Sequence, residues 1–337
     1  MSTMKAAVLA GTRAPLEITE IPRPEPGPGE VLVQLEASGV CHSDVHYWNG
    51  EDALPEGRER PVLGHEGVGR IVGLGPGARG ELGARVGIGF VYRSCGECRE
   101  CRTGGETTCP RAEATGVDVD GCFAEFIVAP DTWVTAIPDA LDTAEAAPLL
   151  CAGVTAFSAI GKTGLGPGKI GVVFGLGGVG MYALQFAVLT GATVVALDFD
   201  EAKLAQARAY GAALALPPGD EATAAILELG GADACLSFAP SPRVLRSEIE
   251  VAAPRATIVQ VALPPQELSF FAWEIINKGL TIRGSADGTR LERDTVVRLA
   301  AEGRVRSRVL PIPFAELTRS LIELDEGRAP GRYVVTF

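Results

Sequence analysis

The sequence predicts an α/β chain of two domains, one β-rich and the other built on a doubly wound parallel sheet. Three observations carry this. Residues 1–149 are rich in glycine and proline and hold short β-branched runs between turn signals. From 150 to 285, apolar strands alternate with helical stretches, as in a parallel sheet covered on both faces. A glycine turn, Gly175-Leu-Gly177-Gly178-Val179-Gly180, separates the first of those strands from its helix.

In the first region, 31–35 and 69–73 read as strands, bounded by the proline- and glycine-rich segments 22–29 and 73–77. In the second, Ile170–Phe174 is an apolar strand followed by the glycine turn and a helix through Thr190. Thr193–Leu197 is the next strand, and a helix follows it through Tyr210. Strands are also expected at 235–238 and 257–261. Beyond 285 a helix near 293–302 and short strands ending in Gly331-Arg332-Tyr-Val-Val335 read like the first region, so 286–337 is expected to complete that domain.

The chain has 337 residues, 47% of them hydrophobic, enough for two cores. Its net charge of −12 argues against nucleic acid or an anionic membrane as a partner, since both need a basic face. No signal peptide and no membrane-spanning apolar run is visible. Eight cysteines without such a signal point to a reducing compartment, and a cytoplasmic location is expected.

Four of those cysteines, Cys95, Cys98, Cys101 and Cys109, lie within fifteen residues. Close pairs fold back so that the sulfurs converge, and four thiolates can surround one Zn²⁺ tetrahedrally. With every position filled by a thiol, the expected site is closed and structural. Two disulfides or an iron–sulfur cluster are the competing readings.

The glycine turn has the strand–turn–helix context that a dinucleotide requires. Gly175 permits the tight turn, Gly177 lets a pyrophosphate approach the backbone, and Gly180 lets helix and strand pack closely. The helix N-terminus then faces the phosphates. Asp198, at the end of the second strand, would accept the ribose hydroxyls and repel a 2′-phosphate, which favours NAD over NADP.

A second metal constellation is dispersed. Two of the three histidines are in Cys41-His42-Ser43-Asp44-Val45-His46, and the third is in Gly64-His65-Glu66. Cys41, His65 and one further cysteine would make a Cys₂His site with an open fourth position. Spacing alone leaves that cysteine open between Cys122, Cys151 and Cys235.

These motifs together resemble the zinc-containing medium-chain alcohol dehydrogenases, nearly end to end. The segments from Cys41 to His46 and from Gly64 to Gly69, the four-cysteine loop, Asp120-Gly-Cys-Phe-Ala-Glu125, Cys151-Ala-Gly-Val-Thr155, the glycine turn and Gly331-Arg-Tyr-Val334 fall in the family's order. The resemblance implies a GroES-like catalytic domain beside a Rossmann coenzyme domain. It implies two Zn²⁺ per subunit and NAD as cofactors, and a homo-oligomer, with a tetramer favoured over a dimer.

Carried over by position, Cys41, His65 and Cys151 hold the catalytic zinc. Asp44 supports the metal-bound histidine, and Glu66 stands behind the metal. Ser43 touches the substrate oxygen and His46 is the outer end of a proton relay. His42 and Arg332 meet the coenzyme pyrophosphate, Lys203 meets the adenosine ribose with Asp198, and Thr155 and Val179 lie behind the nicotinamide. Phe90 lines the substrate pocket, where many relatives have Trp.

The implied reaction is reversible hydride transfer from a primary or secondary alcohol to NAD⁺, giving an aldehyde or ketone. Polyol or sugar dehydrogenases of the superfamily typically carry Glu where this chain has Cys151. Zinc-free quinone or enoyl reductases lack the ligand set. A non-catalytic NAD-binding protein would not need both a relay and a metal site. Val117, Cys122, Ala84 and Ala262 depart from common family residues, which bears on substrate and coenzyme fit. Cys122 and Cys235 are expected to be buried structural thiols.

Overall fold

The computed structural model describes residues 2–337. The chain divides into two compact units: Met1–Val154 with Gly288–Phe337, and Thr155–Asp287. The break falls a few residues beyond the compositional shift at 150.

The first unit is built around a seven-stranded, mostly antiparallel sheet. Its central strand, Glu30–Gly39, pairs along one edge with Gly67–Leu74. Along the other edge it changes partner. Residues 30–34 pair with Phe126–Pro130, and residues 37–39 pair with the C-terminal strand Arg332–Thr336. The end of the chain is thereby built into the same sheet as residues 30–39. One core of this unit joins Val8, Val45, Trp48, Leu63, Phe123, Leu317, Leu321 and Val335. Burying these side chains fixes the helix His42–Asn49 on the sheet.

The second unit is a six-stranded sheet that is parallel throughout. Its strand order is Leu214–Leu216, Thr193–Leu197, Ile170–Phe174, Ala232–Ser237, Ala252–Gln260, Thr281–Gly284. The winding reverses between Ile170–Phe174 and Ala232–Ser237. Sheets of this kind bind ligands outside the carboxyl ends of their strands, at such a reversal. Val172, Phe174, Val195, Leu197, Cys235 and Ile258 fill the core below it. Near-continuous apolar strands are what burial on both faces demands.

The sequence pattern did not mark the last strand, Thr281–Gly284. It is exposed along its whole length and lacks the apolar alternation that signals a half-buried strand.

Candidate metal centres and coenzyme turn

The catalytic ligand candidates are assembled by one carboxylate. Cys41 is the N-cap of the helix His42–Asn49, and Asp44 sits at the third helical position. Asp44 Oδ2 accepts the Cys41 N–H at 2.8 Å, while Oδ1 accepts the Gly64 N–H and faces His65 Nδ1, both at 3.1 Å. This helix cap therefore also orients the imidazole. With Nδ1 engaged, Nε2 is turned inward, buried and without a hydrogen-bond partner. That is the arrangement of a metal-binding histidine.

The metal-binding atoms of Cys41, His65, Glu66 and Cys151 all lie within 4.8 Å of one another. Of the three cysteines that spacing left open, Cys151 is the one whose Sγ lies 3.8 Å from that of Cys41. Tetrahedral zinc with bonds of about 2.3 Å places its sulfurs about 3.8 Å apart, so the donor set fits the ion. Cys122 and Cys235 are fully buried and outside this group, and burial pushes both thiols up.

Electrostatics agree with a cation site. A hydrogen bond from Cys151 is the main reason that the Cys41 thiol is held well below its ordinary value. Burial pushes His65 down, but Asp44 and Cys41 outweigh it and hold the ring's proton affinity well above the usual range. Metal ligands bind deprotonated, and a lowered Cys41 thiol suits that role.

Behind them, burial pushes Glu66 up to about 7 against the pull of Arg332. Glu66 Oε1 accepts from Arg332, and Oε2 has no partner. The carboxylate fits only because residue 39 is glycine: a Cβ there would sit 1.9 Å from Oε2. Arg332 is itself buried, with its Nε unpartnered.

Ser43 is half-buried, with its Oγ 3.8 Å from the Cys41 sulfur. The His46 and His42 rings are 5.2 Å apart, and His42 is exposed. The Phe90 ring meets His65 edge-on at 5.1 Å.

Among the described residues, the four-cysteine loop is the second group that could hold a metal ion. Its sulfurs lie 3.9 Å (Cys95–Cys101), 3.8 Å (Cys98–Cys109) and 3.5 Å (Cys95–Cys109) apart, and no disulfide is formed. Backbone N–H groups of Glu97 and Cys98 pull Cys95 down to about 6. Cys98 moves to about 11: the Cys101 N–H favours its thiolate, but desolvation and the neighbouring sulfurs outweigh that. Crowded thiolates cannot all ionise alone, and a divalent cation among them removes the conflict.

How this loop is anchored was not readable from its own residues. Glu106 accepts bonds from the backbone and guanidinium of Arg290, whose charge lies 4.4 Å from the centre of the Trp133 ring.

In the second unit the glycine turn follows Ile170–Phe174 and leads into the helix Gly180–Leu189. Gly175 has φ +90, a conformation that favours glycine. A Cβ at Gly180 would lie 1.9 Å from the Gly175 carbonyl, whereas Gly177 faces open space. Asp198 accepts the Leu176 N–H at 2.7 Å and the Asp200 N–H at 3.0 Å, with Lys203 Nζ 3.9 Å away. The acidic residue is thus braced against the turn. Val179 caps the helix, and Thr155 is buried on the helix Ala152–Gly161.

Comparison with known proteins accords with this geometry. Residues 27–139 match the alcohol dehydrogenase GroES-like domain family, and residues 178–302 match the zinc-binding dehydrogenase family. The chain is 38% identical over 336 residues to an alcohol dehydrogenase of Geobacillus stearothermophilus, covering 98% of both chains. It superposes on the alcohol dehydrogenase of the archaeon Aeropyrum pernix with a TM-score of 0.90 at 31% identity, covering 99% of this chain and 100% of that one. Acetophenone reductase from Geotrichum candidum, solved in complex with NAD, gives a TM-score of 0.89 at 28% identity, with 100% and 98% covered. The chain therefore belongs to the zinc-containing medium-chain alcohol dehydrogenases.

Proposed function

We propose that Cys41, His65 and Cys151 hold the catalytic metal, with Cys95, Cys98, Cys101 and Cys109 holding a structural one. The observation that carries the reading is the buried, unpartnered His65 Nε2 among the Cys41 and Cys151 thiols. When bound, zinc supplies a Lewis acid that polarises the substrate oxygen, and NAD supplies the hydride acceptor. Three protein ligands leave a fourth position for substrate. Asp44 fixes the ring of His65, and Glu66 stands behind the metal, restrained by Arg332.

Ser43, beside the ligand Cys41, takes the alcohol proton, and His46 passes it toward solvent. Phe90, against His65, lines the substrate pocket. The unit Thr155–Asp287 serves as coenzyme domain and the other unit as catalytic domain. Within the coenzyme domain the glycine turn (Gly175, Gly177, Gly178, Val179 and Gly180) receives the pyrophosphate, Asp198 and Lys203 hold the adenosine ribose, and Thr155 lies behind the nicotinamide; the family resemblance alone assigns His42 and Arg332 to the coenzyme phosphates. The substrate is a primary or secondary alcohol, or the matching carbonyl compound in reverse.

The chain assembles as a homo-oligomer, with a tetramer favoured over a dimer by the family resemblance. Support comes from the open edge strand Thr281–Gly284 and the neighbouring exposed Trp273, Ile276 and Ile282, since unpaired edges and apolar patches seek partners. No single helix is long and apolar enough to cross a membrane. The cytoplasm is favoured because all eight cysteines are free of disulfides.

The test is NAD reduction against linear, branched, cyclic and aromatic alcohols, with zinc measured on the same preparation. Turnover by protein with two zincs per chain supports the assignment; full activity with one zinc per chain overturns it.

A further inference from the structure

We propose that Glu51 is the positioning residue of the proton relay: its carboxylate holds the His46 ring by Nδ1, so that Nε2 is the nitrogen that takes the alcohol proton. This rests on the relay reading of His46 above.

The geometry is built by the end of a helix. The helix His42–Asn49 stops at Gly50, which has φ +81 and whose Cβ, if present, would meet the Thr12 side chain at 2.8 Å. The left-handed turn folds the chain back on the last helical turn. Glu51 Oε2 thereby reaches His46 Nδ1 at 2.5 Å.

Asn49, which is buried, locks the turn from beneath. Its Oδ1 accepts the Glu51 N–H at 3.0 Å, and its Nδ2 donates to Asp325 at 3.0 Å. Asp325 in turn accepts from Arg13 at 3.0 Å. The His46 carbonyl accepts the Asp52 N–H at 3.1 Å, which closes the turn on the histidine.

A carboxylate only accepts hydrogen bonds, so the ring nitrogen facing it carries the hydrogen and the other carries the lone pair. The remaining charged groups nearby are otherwise disposed. His42 lies edge-on to His46, and Asp44 is turned to His65. On the adjoining helix Leu317–Asp325, Asp325 is held by Arg13 and Asn49, while Glu323 faces Tyr333 and Arg319.

During alcohol oxidation a proton from the Ser43 side forms a new N–H bond at Nε2 as its O–H bond breaks. No electron pair leaves the ring. The resulting imidazolium is stabilised by the Glu51 carboxylate at Nδ1 until it returns the proton to water. The His46 side chain retains 18% exposure and Glu51 53%, so water can reach both. As a mere surface pair the two would contribute little to stability, so the difference is read in rate against pH.

The test compares kcat/KM for alcohol oxidation from acid to alkaline pH in wild type, Glu51→Gln, His46→Gln and the double variant, each with zinc content. Glutamine is isosteric at this exposed position. In Glu51→Gln the plateau should fall roughly 3- to 10-fold, as expected for a weakened general base. An added small base should restore part of that loss, because it stands in for the weakened relay. In the His46→Gln background the second substitution should change nothing.

A loss in Glu51→Gln that added base leaves untouched, or an equal loss in the His46→Gln background, overturns the proposal while leaving the relay standing. A His46→Gln profile identical to wild type overturns the relay and this inference together.

Discussion

Asp44 Oδ1 and His65 Nδ1 lie 3.1 Å apart in a site closed to solvent, and the other oxygen of the same carboxylate takes the Cys41 N–H at 2.8 Å. Three donors (the Cys41 N–H, the Gly64 N–H and the His65 ring) converge on two acceptor atoms. An asparagine in its place could offer only one acceptor oxygen and would turn an NH₂ toward a donor. Asp44→Asn should therefore weaken metal retention at this site about 10- to 100-fold, measured by zinc loss to a graded chelator. Unchanged retention would mean that the histidine is oriented by packing alone.

The two ligand sets should separate in their consequences. Cys95→Ser should leave one zinc per chain and lower the unfolding midpoint, because structural zinc contributes folding energy. Cys151→Ser should keep the fold and lose turnover by at least about a hundredfold, since it removes a ligand of the metal that polarises substrate. Metal analysis, thermal unfolding and activity on the same samples separate the two roles.

Coenzyme choice should turn on Asp198. Its carboxylate is held by two backbone N–H groups, so it cannot swing away from a 2′-phosphate. Asp198→Gly removes that charge and frees Lys203. The ratio of kcat/KM for NAD over NADP should narrow by on the order of a hundredfold. Equal efficiency with both coenzymes in the wild type would refute the assignment.

Stability should carry a pH signature from Glu248. This side chain is wholly buried, neither carboxylate oxygen has a partner, and burial pushes it up to about 8 from the ordinary 4.5. Between those values the folded state keeps a proton that the unfolded chain has lost. Its contribution is therefore neutral below about 4.5, grows more destabilising as pH rises from there, and levels off above about 8. The cost is on the order of a few kcal/mol. Glu248→Gln should flatten this part of the pH dependence and raise the unfolding midpoint at alkaline pH, as read by thermal melts across pH.

Local patterns made much of this molecule readable. The strands Ile170–Phe174 and Thr193–Leu197 were legible because strands buried on both faces must be continuously apolar. The four-cysteine loop was legible because all its ligands are near neighbours in sequence. What escaped was long-range. Glu66 and Arg332 are 266 positions apart, and Glu106 and Arg290 are 184 apart. Charged residues of either kind usually read as solvated surface. Glu51 was also missed, although it is only five residues from His46. Its role depends on the left-handed turn at Gly50, and a single glycine after a helix says only that the helix ends.

The two ligand sets also differ in when they can come together. Cys95 to Cys109 span fifteen residues, so the loop can capture its ion as soon as that stretch leaves the ribosome. Cys41 and Cys151 are 110 positions apart, and Arg332, behind Glu66, lies on the last strand. The ion pair that restrains Glu66 behind the open site forms only once the C-terminal strand has docked beside residues 37–39. On the proposed assignment the closed site is the product of one short loop, whereas the open site is completed by nearly the whole length of the chain.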